Sequence, residues 1–233
     1  VNPDLERRLS NAGIGVYSAA RIASTEGSKG ISRATVQHRN GRRLARLDCD
    51  LLAVSGGWAP RVHLLAHAGG GLRFDDATQS FLPDRLPPGI SVAGSANGTA
   101  GLGAALQEAA GAARGACAAL GVDAPAFDPP RVTRTVVESN QVGAQELRPG
   151  SGRQWIDLAH DVTVADAELA VREGFVPVEH FKRYTTTGMS VDQGKTGNLN
   201  ALVVLGALTG RPTAEVGTTT FRPPYAPVTL GAI

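Results

Sequence analysis

Apolar and polar side chains along this chain change their spacing several times, and each change predicts a different element. Leu5 and Leu9 lie four apart behind Pro3, with Gly13 beyond them, which predicts a short helix over residues 3–11. Residues 14–17, 20–25, 31–38 and 43–47 then read as strand-like runs. A Glu26-Gly27-Ser28-Lys29-Gly30 turn and the hairpin pair Asn40-Gly41 join them into a small antiparallel meander with one polar face. Residues 50–54 and 89–94 break that alternation. Both are continuous apolar runs, as expected of strands buried on two faces. Residues 62–68 suit one or two helical turns, and 72–74 and 81–83 short extended pieces. An Ala-rich helix is predicted over about 100–120, closed by Gly121. Its small residues Gly101, Gly103, Ala104, Gly111 and Gly115 would let it lie close to a sheet.

Beyond it, residues 122–150 contain Pro125, Pro129 and Pro130 and read as a linker or crossing strand, with 132–137 strand-like. From Trp155 the composition becomes helical. Thr163 with Asp166 forms a capping box opening 164–173, and Gly174 ends that helix. A second helix runs from Pro177 through Tyr184 and breaks at Gly188. A third spans 199–208 and stops at Gly210, and Arg211-Pro212 begins a short fourth turn. Residues 218–227, with three prolines, form a non-helical strap.

Composition narrows the classes. At 233 residues, one large or two modest domains are expected. Hydrophobic residues are 42% and charged residues 19%, enough for a core. Aromatics are only 5%, and 23 Lys+Arg against 21 Asp+Glu give a net charge of +2 with no basic block, so nucleic acid is not the expected partner. The longest apolar stretch, residues 201–208, is under half the ~20 residues a membrane-spanning helix needs. The polar first residues carry no signal peptide, and Cys49 and Cys117, in apolar surroundings, read as reduced buried thiols of a cytoplasmic protein. Met189 is the only methionine, so the chain reads as a piece of a longer polypeptide.

The turn after the second apolar run is the first candidate for chemistry. A buried strand, small residues, then a helix start present free N–H groups and a partial positive charge to a pyrophosphate. Gly94, Ser95, Ala96, Asn97, Gly98 and Thr99 make that turn, with Ser95, Asn97 and Thr99 as side-chain donors. Ser55, Gly56 and Gly57, after the first apolar run, have the same double reading, as a tight connection or a ligand loop. The G-x-G-x-x-G fingerprint is absent. His63 and His67 would share a helix face, but Leu64-Leu65-Ala66 between them holds no acid and no third ligand is evident, so surface or capping roles are preferred and no metal site is assigned. Asp157, Asp161, Asp166 and Glu173 read as a solvated, capped helix start. No serine has a G-x-S-x-G context.

Several motifs together carry a resemblance. They are Cys49-Asp50-Leu51-Leu52-Ala53-Val54-Ser55-Gly56-Gly57-Trp58-Ala59-Pro60, Ala93-Gly94-Ser95-Ala96-Asn97-Gly98, Asp161-Val162-Thr163 with Arg172-Glu173-Gly174-Phe175, Val178-Glu179-His180-Phe181-Lys182-Arg183-Tyr184, Asp192-Gln193-Gly194-Lys195-Thr196 and Gly217-Thr218-Thr219-Thr220-Phe221-Arg222-Pro223-Pro224-Tyr225. The chain resembles an internal stretch of the large (α) subunit of heterotetrameric sarcosine oxidase. The resemblance implies an α/β fold: the C-terminal half of a glutathione-reductase-like FAD/NAD(P)-binding domain over 1–121, a linker over 122–156, a small helical domain over 157–217 and a strap over 218–233 to a folate-binding aminomethyltransferase-like domain. It implies NAD in this subunit, FAD and FMN elsewhere in the complex, tetrahydrofolate downstream, and β, γ and δ subunits as partners. The activity implied is oxidative demethylation of sarcosine to glycine with peroxide formation, amine oxidation lying in another chain. A non-catalytic scaffold, or a subunit of a related amine or opine dehydrogenase, is the alternative. The helical segment also resembles a bacterioferritin-associated-ferredoxin-like [2Fe-2S] domain, but Asp157, Ala159, Asp192 and Gly197 stand where cluster thiolates would be. Related flavoprotein reductases carry Gly-Asp where this chain has Gly94-Ser95, so the dinucleotide's identity rests on the resemblance.

Overall fold

The computed structural model describes residues 3–124, 127–133 and 152–232. These fall into two compact units, one of residues 3–55 with 152–153, the other of the remaining described residues from 56 onward.

In the first unit, helix α1 (Pro3–Asn11) carries Asp4 and Glu6 in its first turn and Arg8 in its last, each favourable to the helix dipole. Strands β1 (Ala20–Glu26), β2 (Arg33–His38) and β3 (Arg43–Asp48) form the predicted antiparallel meander in that order. The central strand buries Ala34 and Val36, while its Arg33 reaches Asp48 at 2.6 Å and Glu26 at 3.2 Å on the flanking strands. Residues 14–17 form no strand.

The two apolar runs differ from expectation. Residues 50–54 form no strand: Leu51 is 76% and Val54 80% exposed. Residues 90–93 form none either, although Ala93 has extended dihedrals. A strand persists only where a neighbour completes its backbone hydrogen bonds, and neither run has one among the described residues.

The second unit begins with α2 (His63–His67) and a hairpin of β4 (Leu72–Asp75) and β5 (Ser80–Pro83). A 3₁₀ turn, Gly94–Asn97, precedes α3 (Leu102–Ala119). This helix ends as predicted: the Val122 N–H reaches the Cys117 carbonyl at 2.9 Å and the Gly121 N–H that of Ala118 at 3.1 Å, a Schellman closure. Among the described residues no sheet lies against Gly111 or Gly115, where a side chain would meet nothing within 4 Å. Residues 131–133 form no strand, and the rest of the strand expected over 132–137 lies outside the described residues. Cys49 and Cys117 are free and half-buried rather than fully buried.

Trp155 opens a strand, not a helix. β6 (Trp155–Asp157) pairs antiparallel with β7 (Val162–Thr163), a pairing that overrides local helical composition. Four helices follow: α4 (Val164–Arg172), α5 (Val178–Thr185), α6 (Asn198–Thr209) and α7 (Thr213–Val216). The capping box at the start of α4 is complete, with Thr163 and Asp166 bonding each other's backbone N–H. The core lies among these helices. Phe181, Leu202 and Leu205 are its largest fully buried side chains, Ala167 and Ala170 allow close approach, and Phe81 of β5 packs against it. Among the described residues no helix is long and apolar enough to cross a membrane.

Candidate functional site

The 94–99 segment folds back onto the helix it leads into. Gly94 has φ +70°, so a side chain there is strained, although a methyl group would meet only Cβ of Ala105, at 3.6 Å. The turn then closes on Glu108, in the second turn of α3. Oε2 of Glu108 accepts the Gly94 N–H at 2.6 Å and the Thr99 hydroxyl at 2.7 Å. Oε1 accepts the Asn97 side-chain amide at 2.5 Å. These donors, the Thr99 hydroxyl foremost, then Asn97 and Gly94, hold the Glu108 carboxyl below the usual glutamate range. It is ionised at neutral pH.

The sequence offers Ser95, Asn97 and Thr99 as donors to a ligand. The structure turns Asn97 and Thr99 toward Glu108 and leaves Ser95 exposed, with Ala96 and Gly98 half-buried between them. The N–H groups of Leu102, Gly103 and Ala104 have no acceptor within α3. Ser55 closes the first unit, while Gly56 and Gly57 are exposed in the second, Gly57 at φ +97°. No hydrogen bond joins Gly56 or Gly57 to the 94–99 turn among the described residues. Glu108 was not singled out from sequence. Its signal is that no other charged residue precedes Arg114 in a helix whose remaining side chains, Gln107 apart, are small or apolar.

In the helical region, Asp157 and Asp192 each gather several hydrogen-bond donors. Asp157 is 4% exposed and accepts the Gly188 N–H at 2.8 Å and the Ala159 N–H at 2.9 Å. It is a buried structural acceptor, not part of a solvated helix start. A methyl group on Gly197 would stand 3.1 Å from the Ile156 carbonyl oxygen and 3.4 Å from Cβ of Asp157. Burial opposes ionisation of Asp192, but the Thr196 hydroxyl at 2.8 Å and the N–H groups of Gly194 and Thr196 keep its carboxyl below the usual range. Asn198, 6% exposed, fills the space beside Gly188 and Gly194 and donates to Thr219 at 3.2 Å.

His63 departs from the surface or capping role expected of it. It is 6% exposed, and neither ring nitrogen has a partner among the described residues. The strap covers it: the Phe221 ring centroid lies 4.0 Å away and that of Tyr225 6.2 Å. Burial, then the charges of Lys195, His67 and Arg61, pushes the imidazole down to about 4. The strap is fastened by Lys195, which donates to the Tyr225 carbonyl and sits 4.7 Å over its ring, by Arg61 to the Tyr225 hydroxyl at 3.2 Å, and by Lys182 to the Thr220 carbonyl at 3.0 Å.

The fold is shared with an oxidoreductase. The crystal structure of L-proline dehydrogenase from P. horikoshii superposes with a TM-score of 0.69 at 23% identity, covering 99% of this chain and 47% of that one, a likeness of fold alone. The sequence is more specific. Residues 151–233 match the family described as the sarcosine oxidase A3 domain. The chain is 40% identical over 217 residues to the sarcosine oxidase subunit alpha of Rhizobium meliloti (strain 1021). It is 33% and 35% identical to those of Corynebacterium sp. strains U-96 and P-1. These alignments cover 92% to 95% of this chain, so its resemblance to sarcosine oxidase α subunits runs along nearly its whole length. The chain spans about a quarter of the length of these relatives, 22% to 24%.

Proposed function

We propose that this chain forms the part of a sarcosine oxidase α subunit that binds a dinucleotide at the 94–99 turn and docks the other subunits. NAD is the assigned ligand, and when bound it supplies a hydride acceptor. The observation that carries the reading is the turn itself: a glycine at φ +70° where a methyl group would meet only Cβ of Ala105, an exposed Ser95 hydroxyl, and the N–H groups opening α3, which have no acceptor within the helix. Those groups fit a pyrophosphate. Gly56 and Gly57 are assigned to the same site as a second glycine loop, and Ser55 is assigned as a ligand-loop residue of the first unit.

Within the whole enzyme we assign amine oxidation to the β subunit with its FAD, FMN to the α/β interface, and one-carbon transfer to tetrahydrofolate to a domain beyond the strap. The reading keeps a dinucleotide domain over 1–121, a linker over 122–156, a helical domain over 157–217 and a strap over 218–233. It takes the helical domain as one whose cluster thiolates have been replaced by Asp157, Ala159, Asp192 and Gly197. The hydrogen bonds of Asp157 to Gly188 and Ala159 support that view, since they tie together segments a cluster would otherwise bridge.

Calorimetric titration of the full-length subunit with NAD tests the reading, alone and as Gly94→Val. The branched side chain strains the φ +70° backbone and occupies the approach to the turn, so binding should fall by at least about tenfold, or about 1.4 kcal/mol. Unchanged affinity removes this turn from the site. A scaffold without a nucleotide is favoured instead by the exposure of Leu51 and Val54 in the first unit, apolar side chains open to a partner. On that reading the wild type gives no heat with NAD.

A further inference from the structure

We propose that Glu108 is the positioning residue of the nucleotide turn, and that Asn97 and Thr99 act on a ligand only through it. This rests on the dinucleotide reading given above. The argument begins with a hydrogen-bond count. A carboxylate has about four lone-pair sites and no proton to give. Glu108 fills three of them from one short segment: a backbone N–H, an amide and a hydroxyl, at 2.5 to 2.7 Å. Thr99 has a single hydroxyl proton, and it points at Oε2. It has none left for a phosphate.

The same three bonds fix the backbone of the turn from both ends and the middle. Gly94 is pinned by its N–H, Asn97 closes the 3₁₀ turn, and Thr99 stands where the chain leaves for α3. The ligand therefore meets a turn whose shape is set before it arrives, which lowers the ordering cost of binding. The donors left to it are the Ser95 hydroxyl and the N–H groups of Leu102, Gly103 and Ala104. The negative charge of Glu108 is quenched by its own donors, so it does not stand bare against a pyrophosphate.

Glu108→Leu removes the acceptor of all three bonds. The Gly94, Asn97 and Thr99 donors then face an apolar side chain, and the competent shape is populated only part of the time, raising the apparent Kd in proportion. Calorimetry with NAD on the full-length subunit should show Kd raised about tenfold for E108L, with faster hydrogen exchange at the Gly94 amide. Glu108→Gln is the conservative rescue. Its oxygen accepts from Gly94 and Thr99 while its NH₂ donates to an Asn97 amide turned end for end, so Kd should stay within about threefold of wild type with Gly94 protected. In the E108L background Asn97→Ala should change Kd by less than about twofold, because the bond it would lose is already gone. If Asn97 instead touched the phosphate, that second substitution would weaken binding further. That result overturns the proposal, as does an E108L protein that binds NAD like wild type or an E108Q protein as weak as E108L. Should E108L fail to fold, Thr99→Val decides. It removes one of three donors and should weaken binding about threefold while the Gly94 amide exchanges faster; unchanged affinity and exchange overturn the proposal. A wild-type subunit that binds no dinucleotide overturns the dinucleotide reading and this one with it, whereas wild-type binding with an indifferent E108L removes only the role of Glu108.

Discussion

Acidification is expected to loosen the strap over α2, because His63 is held neutral beneath it. In the folded chain burial, and after it the charges of Lys195, His67 and Arg61, bring the imidazole to about 4, against 6.5 in the ordinary state. Between those values the unfolded chain takes up a proton that the folded chain refuses. The stability that His63 lends is therefore complete above its unfolded pKa and is lost as the pH falls toward the folded one. Each pKa unit corresponds to about 1.36 kcal/mol, so between pH about 7.5 and about 5 the loss from this residue is about 2 kcal/mol. Urea titrations followed by circular dichroism at the two pH values, on wild type and His63→Phe, measure it. Phenylalanine keeps the ring packed on Phe221 and carries no proton. The wild type should lose about 2 kcal/mol more than the variant across that range. The variant should also be about 1 kcal/mol the more stable at neutral pH, since a buried ring nitrogen without a partner is gone. Equal pH dependence in the two proteins would refute the reasoning.

Two further outcomes concern the helical core. Gly194→Ala should destabilise by about 3 kcal/mol in thermal unfolding, because φ there is +70° and the new methyl group runs into the Asn198 amide; a melting temperature unchanged from wild type would contradict that packing. Leu202→Ala should cost about 2–5 kcal/mol in urea unfolding, since Leu202 is 1% exposed at the centre of the core, and a loss below about 1 kcal/mol would place it at the periphery.

Much of the local structure could be read directly from residue order. Asn40-Gly41 set the β2–β3 hairpin, Thr163 with Asp166 set the start of α4, and Gly121 the end of α3, because in each case the determining contacts lie within a few residues. The apolar run 50–54 misled for the opposite reason. Hydrophobicity says that a segment would be buried if something covered it, but not that the cover is present among these residues. Trp155 was misread because its pairing with Thr163 outweighs local propensity. The candidate site divides the same way. The glycines and small residues of 94–99 are visible as a turn, but the direction of Asn97 and Thr99 depends on a carboxylate on the following helix. His63 looked like a surface residue because the strap that buries it follows more than 150 positions later.

The bonds of Asp157 act as a clasp. One carboxylate holds the Ala159 and Gly188 backbone together, and Gly197 lies so close that a side chain there would press on the Ile156 carbonyl and on Asp157. Removing Asp157 would strip the Gly188 N–H of its acceptor. A change at either 157 or 197 is therefore felt at the other, and the two positions are constrained as a pair.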